Sequence, residues 1–306
     1  MNTAAAERMG LVLACEGMGD CLFAMAVIRK LRRTFPYRFD LFTFRPELFK
    51  TCPYIDAVRH INDPVLASYP HKTVRLFELD KLPHWKMDTF DFISVPLAQG
   101  ELSFREKQLE YFPVEEDRAE AFDVVLNTSI TWRTRSWPLE NWQRLADTLV
   151  TKGLKVAVIG KDVESKADKM VKSSPPLAGG VRNLVNELSL DQTYFTLRKA
   201  RLFVSGQGGL TVLAGATDTE IVVLGMSIEW SKRAIYRHED PHYKVTYVGG
   251  ACEVYCGQDN VCPLPENRGE LKCVPGYEKV EAAVLKKLAL ASADPGSLRV
   301  RDDDRS

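Results

Sequence analysis

Three stretches of the chain carry residue types that could do chemistry, and the first is Gly17-Met18-Gly19-Asp20. Two glycines let the backbone turn sharply and approach a ligand, and the helix start that follows offers unpaired N–H groups. A carboxylate at such a turn can take a proton from a hydroxyl as a general base. Equally, Asp20 can cap the helix, a role that stabilises by about 1 kcal/mol.

The second stretch couples Thr131-Trp132-Arg133-Thr134-Arg135-Ser136-Trp137-Pro138 to a distant glycine turn, Ser205-Gly206-Gln207-Gly208-Gly209. Arg133 and Arg135 have the planar donors that hold phosphate. Backbone N–H groups of the glycine turn suit a diphosphate, though an ordinary tight strand-to-helix turn has the same composition. Trp137 and Trp142 suit the core, with at least one arginine left in solvent.

Third, Cys252, Cys256, Cys262 and Cys273 form a C-x3-C-x5-C-x10-C set. Four thiols this close in a chain expected to be cytoplasmic suggest a structural zinc or iron, because reducing conditions oppose disulfides. Free thiols or an opportunistic disulfide are the competing readings. Cys15, Cys21 and Cys52 are expected to be core thiols.

Positioning such residues takes elements, and the periodicity supplies them. The apolar run 10–15 reads as a strand buried on both faces. Leu22, Met25, Ile28, Leu31 and Phe35 then recur at helical steps, with Arg29, Lys30, Arg32 and Arg33 opposite. Strands are expected over 39–44, 57–61 and 74–79, and helices over 84–92 and 104–112. The proline-marked, charged segment 112–118 suits a boundary.

A second alternation follows it: strands over 124–126, 155–159, 202–204 and 221–224, and helices over 139–150, 165–171, 190–200, 210–216 and 277–290. This pattern predicts an α/β fold in which parallel sheets carry helices on their faces. Ligands of such sheets bind beyond the carboxyl ends of the strands, so two facing halves would enclose a cleft.

Composition limits the partners. The chain has 306 residues, 45% hydrophobic and 27% charged, and its 41 basic residues balance its 41 acidic ones. Zero net charge disfavours a general nucleic-acid surface. No apolar run reaches the length of a transmembrane segment, and no signal core opens the sequence, so a cytoplasmic location is expected.

In their order, these features resemble glycosyltransferase family nine, the bacterial ADP-heptose:lipopolysaccharide heptosyltransferases, over nearly the whole chain. Gly17 to Asp20, continuing through Leu31-Arg32-Arg33-Thr34-Phe35-Pro36, is similar to the family's opening strand, G-x-G-D turn and helix ending in L-R-x-x-F-P. Trp132 to Pro138 is similar to its W-P-x-K-R-W-P segment, with Arg135 at the phosphate-binding lysine. Ala200 to Val204 with Gly208-Gly209-Leu210 and Leu213-Ala214 is similar to A-R-L-V-V-x-x-D-S/T-G-x-x-H-L-A, and many members share a cysteine-rich loop. Gln207 departs from the family's aspartate and Val212 from its histidine.

The resemblance implies a GT-B architecture, two Rossmann-like domains facing across a cleft. Residues 1–115 would form the acceptor side. Residues 116–290, with the cysteine-rich loop 252–273, would bind the nucleotide sugar; by composition, with Pro295, Gly296 and three consecutive aspartates, 291–306 are expected to be a disordered tail. It implies an inverting transfer of a sugar, heptose among the candidates, from a nucleoside-diphosphate donor, an ADP-sugar being favoured. No cofactor is needed for the chemistry. Asp20 would be the general base.

The donor would meet Gly19, Arg135, Gln207, Gly208, Gly209, Leu210 and the Thr211 hydroxyl, with Glu164 at the ribose. The acceptor would be a glycan, lipopolysaccharide or a protein; related protein heptosyltransferases carry a cysteine-bound iron. A lipopolysaccharide acceptor would bring the protein to the inner membrane as a peripheral enzyme. A non-catalytic nucleotide-sugar-binding module, to which Gln207 and Val212 lend weight, and a sugar-nucleotide epimerase of the same architecture are the alternatives.

Overall fold

A computed structural model describes residues 7–69, 73–76, 107–130, 133–164, 171–237, 240–256, 262–267 and 269–293. Strands β1 (Arg8–Leu13), β2 (Arg38–Thr43), β3 (Ala57–His60) and β4 (Thr73–Leu76) form a parallel sheet in the order β3-β2-β1-β4, with helix α1 (Met18–Thr34) following β1. Because the chain moves outward from β1 to β3 and returns to β4 on the other side, the order reverses beside β1. The turn leaving β1 holds Gly17 to Asp20.

The second sheet is also parallel. It is built from β5 (Val124–Asn127), β6 (Val156–Val158), β9 (Arg182–Asn183), β10 (Leu202–Gly206), β11 (Glu220–Gly225) and β12 (Val245–Gly249), in the order β12-β11-β10-β5-β6-β9. A small antiparallel pair, β7 (Val163–Glu164) and β8 (Val171–Lys172), stands apart from it. Helices α2 (Leu139–Thr151), α3 (Leu190–Lys199), α4 (Gly209–Gly215) and α5 (Tyr277–Ala293) complete the half.

Alternation along each central strand explains the continuous apolar runs. Val124, Leu126, Leu202, Val204, Val222 and Leu224 face a core shared with Trp142, Leu145 and Leu149 of α2 and with Val280, Val284 and Leu288 of α5. Val125, Phe203, Ile221 and Val223 face the other way, into a core that also contains Leu197, Leu213 and the buried side of α1. One apolar core therefore crosses from one half to the other. Trp137 and Trp142 are both 2% exposed, and the Trp137 indole N–H donates to the Pro275 carbonyl at 2.8 Å, tying α2 to the start of α5.

Several local expectations change. The described part of the 104–112 helix, residues 107–112, is irregular chain, tied down by the Tyr111 hydroxyl bonding to Asp191 and by Leu109 N–H donating to the Tyr236 carbonyl. Val171, expected to end a helix, pairs with Glu164 in the β7–β8 ladder. Residues 165–170 and the 84–92 helix lie outside the described residues. Helix α5 runs to Ala293, so 291–293 continue the helix; 294–306 are outside the description. Strands β9 and β12 were not expected.

The two-sheet, helix-flanked arrangement is the GT-B-like α/β architecture. No helix among the described residues is long and apolar enough to cross a membrane.

Candidate active site between the two glycine turns

In the second sheet the chain builds β5, β6 and β9 in one direction and β10, β11 and β12 in the other, so the order reverses between β5 and β10. Crevices at such reversals are where open α/β sheets bind ligands. The segment leaving β5 contains the short 3-10 turn Arg133–Arg135, and the segment leaving β10 is the second glycine turn. They are neighbours: a Cβ added to Gly206 would lie 3.5 Å from the Arg135 carbonyl oxygen. Arg133 is exposed and Arg135 half-buried, while Thr131 and Trp132 are outside the described residues.

The two glycine turns also meet each other. A Cβ on Gly19 would lie 3.4 Å from Gly209 Cα and 3.3 Å from Val212 Cγ2. A Cβ on Gly209 would lie 2.8 Å from Met18 Cε and 3.2 Å from Gly19 N. Gly209 is thus required where α1 of one half abuts α4 of the other. Gly208 is exposed, and a Cβ there would meet nothing within 4 Å.

The other expected donor contacts divide. Leu210 packs against the shared core. Thr211 is 2% exposed and its hydroxyl donates to the Gly206 carbonyl, bracing the turn. Gln207 is half-exposed as a residue, yet both its amide nitrogen and its amide oxygen are buried without a hydrogen-bond partner. Buried polar atoms are paired in the great majority of cases, so the amide beside Gly208 is an exception. Ser227, just past β11, has a buried unpartnered hydroxyl of the same kind. Glu164 lies in the β7–β8 ladder, its side chain outside the description.

Asp20 sits in the first turn of α1, and its carboxylate does not cap that helix: the N-cap is Gly17, with no side-chain cap bond. Instead Oδ1 accepts from Arg233 Nη1 at 2.7 Å. Arg233 ends a short 3-10 turn (Trp230–Arg233) beyond β11, in the opposite half. Sequence reasoning missed this residue, since nothing local relates positions 213 apart. Flanking the same turn, Cys15 Sγ and Cys21 Sγ approach to 3.6 Å in the core, and that contact, burial and the nearby Asp20 charge push the Cys15 thiol up.

Cys252, Cys256, Cys262 and Cys273 line one small pocket together with Thr134 and Asn267, with room of about 10 Å3, a single water-sized sphere. Burial and the three neighbouring thiols push the Cys273 thiol up to about 11. The donor set fits a zinc or iron ion chemically. Among the described residues, however, no three Cys, His, Asp or Glu side chains stand as a ready ligand group. The four thiols share a pocket without converging on a point.

Comparison with known proteins bears on the family and the fold. Search of curated proteins returns no match. Among solved structures, the family 9 glycosyl transferase from Veillonella parvula DSM 2008 matches with a TM-score of 0.65 at 12% identity, covering 94% of this chain and 100% of that one. Heptosyltransferase TibC, described as dodecameric and iron-containing and solved with ADP-D-beta-D-heptose, matches with a TM-score of 0.71 at 17% identity, covering 94% and 78%. ADP-heptose lps heptosyltransferase II of E. coli gives 0.59 at 14% identity, covering 93% and 99%. These likenesses show a shared fold. Residues 72–226, from β4 through β11 and including Arg135 and the Gly208-Gly209 turn, match glycosyltransferase family 9 (heptosyltransferase). That span is just over half of the chain, and the protein therefore belongs to glycosyltransferase family 9 and is a glycosyltransferase.

Proposed function

We propose that the enzyme moves a sugar, heptose first among the candidates, from a nucleoside diphosphate to an acceptor hydroxyl with inversion at the anomeric carbon. The observation that carries this reading is the apposition of two sheet-order reversals. One presents Asp20; the other presents Arg135, Gln207 and Gly208 within the same interface. Asp20 takes the proton of the acceptor hydroxyl as its oxygen attacks the anomeric carbon. Arg135 and the turn at Gly208 stabilise the negative charge that develops on the departing diphosphate.

An ADP-sugar is the favoured donor, in keeping with the nucleotide sugar bound to TibC. Gln207, with one acceptor and two donor positions on its amide, suits a sugar hydroxyl pair. The acceptor belongs to a glycan, a lipopolysaccharide core or a protein. Work on a lipid-linked acceptor places the enzyme in the cytoplasm at the inner-membrane surface. Cys252, Cys256, Cys262 and Cys273 would hold a structural zinc or iron after the side chains draw together, away from the reacting atoms. A bound metal would supply stability to the loop by cross-linking its thiolates.

Calorimetry with ADP, UDP and GDP on the native protein and on Arg135→Ala tests the donor half. A charge-assisted hydrogen bond contributes roughly 1.5–3 kcal/mol, so the variant should bind the preferred diphosphate about tenfold or more weakly. Equal affinity in both proteins would place the diphosphate elsewhere. No binding by the native protein would remove the donor assignment.

A further inference from the structure

Two features around Asp20 are unexplained by the glycine turn alone. Gly17 has φ −67° and ψ 120°, a conformation open to any L residue, so its backbone does not call for glycine. Yet a Cβ added there would stand 2.7 Å from Asp20 Oδ2, closer than real Cβ contacts come. The missing side chain at 17 is the space that the second carboxylate oxygen occupies. Meanwhile the first oxygen is held from the opposite half, by Arg233 Nη1 at 2.7 Å, with both side chains about one-fifth to one-quarter exposed.

We propose that Arg233 and Gly17 are positioning residues for Asp20: Arg233 fixes Oδ1 from the donor-side half, and Gly17 admits Oδ2 at the place where it meets the acceptor hydroxyl. This rests on the reading of Asp20 as the general base. In the transfer step Oδ2 takes the hydroxyl proton while the acceptor oxygen forms its bond to the anomeric carbon. The bond from that carbon to the diphosphate oxygen breaks, and the diphosphate leaves with the electron pair. Arg233 keeps its protons throughout.

What Arg233 supplies is orientation: a charge-assisted hydrogen bond at 2.7 Å holds one carboxylate oxygen in place, a constraint that an isolated Asp side chain at a helix start lacks. The pair also ties the base to the half that binds the donor. Arg233 lies seven residues after the Met226 that ends the family match and reaches Asp20 only when the two turns are in contact.

The test uses the full chain with ADP-heptose, UDP-glucose and GDP-mannose as donors and a lipopolysaccharide inner-core oligosaccharide as the hydroxyl acceptor, measuring nucleoside diphosphate release that depends on acceptor, with ADP affinity and melting temperature measured alongside. The variants are Arg233→Met, Arg233→Lys and Gly17→Ala. Misplacement of a reacting group by about 1 Å can cost on the order of a hundredfold, so Arg233→Met and Gly17→Ala should each lower kcat by about tenfold or more. ADP affinity should stay within about twofold, and Arg233→Lys, which keeps the charge, should recover part of the rate.

Native kcat in folded Arg233→Met would overturn the proposal. Loss of ADP affinity in step with kcat would overturn it too, by making Arg233 a donor ligand. Should the native protein release no diphosphate from any of the three donors, the transfer reading itself fails, an outcome distinct from a native enzyme that ignores the variants.

Discussion

Adjacent glycines in one turn do different work, and substitution separates them. At Gly209 a methyl group would press on Met18 Cε and on the backbone nitrogen of Gly19, so Gly209→Ala should lower stability by about 1–3 kcal/mol, as overpacking does. At Gly208 a methyl group would enter open space, and Gly208→Ala should leave stability within about 0.5 kcal/mol. On the proposed donor site, binding should respond in the opposite order, with Gly208→Ala weakening ADP affinity because its methyl would enter the open space assigned to the diphosphate. Chemical denaturation with calorimetry on both variants checks the pair; a destabilised Gly208→Ala or an unaffected Gly209→Ala would contradict the packing. Sequence marks the turn but cannot rank its glycines, since the atoms that decide belong to Met18 and Gly19. The placement of Asp20 at a helix start was legible for the opposite reason, being framed by its own strand, turn and helix. Its partner Arg233 was not, because only the folded halves bring the two together.

The central strands, buried on both faces, announce themselves as apolar runs, and β5, β6, β10 and β11 fall within a residue or two of expectation. Strand β9 is a two-residue pairing with too little pattern to register, and Val245–Gly249 lies at the edge beside β11 with half-buried Thr246 and Tyr247 breaking the apolar run. What holds the strand beginnings together is also invisible in sequence. Asp123 accepts from Lys155 N–H at 2.9 Å and from Arg201 Nη1 at 2.7 Å, joining the starts of β5, β6 and β10 at the end away from the site. Burial alone would raise the Asp123 carboxyl, but these two donors and the nearby positive charges outweigh it and hold it below the ordinary carboxylate range. A depressed folded pKa means stabilisation that is present above the unfolded value, near about 3.9, and is lost as pH falls through the folded value. Asp123→Asn should therefore cost about 1 kcal/mol at pH 7, with a difference that narrows as the pH is lowered through the acid range. Urea melts at neutral and acid pH measure it, and turnover should be unchanged.

At the scale of the molecule, the chain passes between β4 of one sheet and β5 of the other, and Asp191 secures the segment around residue 115 that lies between them. This buried carboxylate accepts from the Tyr111 hydroxyl and from the N–H groups of Val114 and Glu115, at 2.8 and 2.9 Å for the latter two. Asp191→Ala would strand those donors at a cost of about 3 kcal/mol, read as a drop in unfolding free energy. The cysteine loop is a separate unit in chemical terms. If it holds a metal, protein purified without a histidine tag should carry one zinc or iron ion per chain, and Cys256→Ser should lower stability more than it changes turnover. Metal-free protein whose four thiols react readily would dismiss the site. The central claim, that Asp20 is the general base of a sugar transfer, is tested most directly by measuring turnover and donor affinity on native and Asp20→Asn protein together. An amide keeps the shape and can still accept from Arg233, but it cannot take the hydroxyl proton. The account predicts a fall in turnover of about two to four orders of magnitude, with donor affinity and melting temperature little changed. Near-native turnover in the folded variant would contradict it.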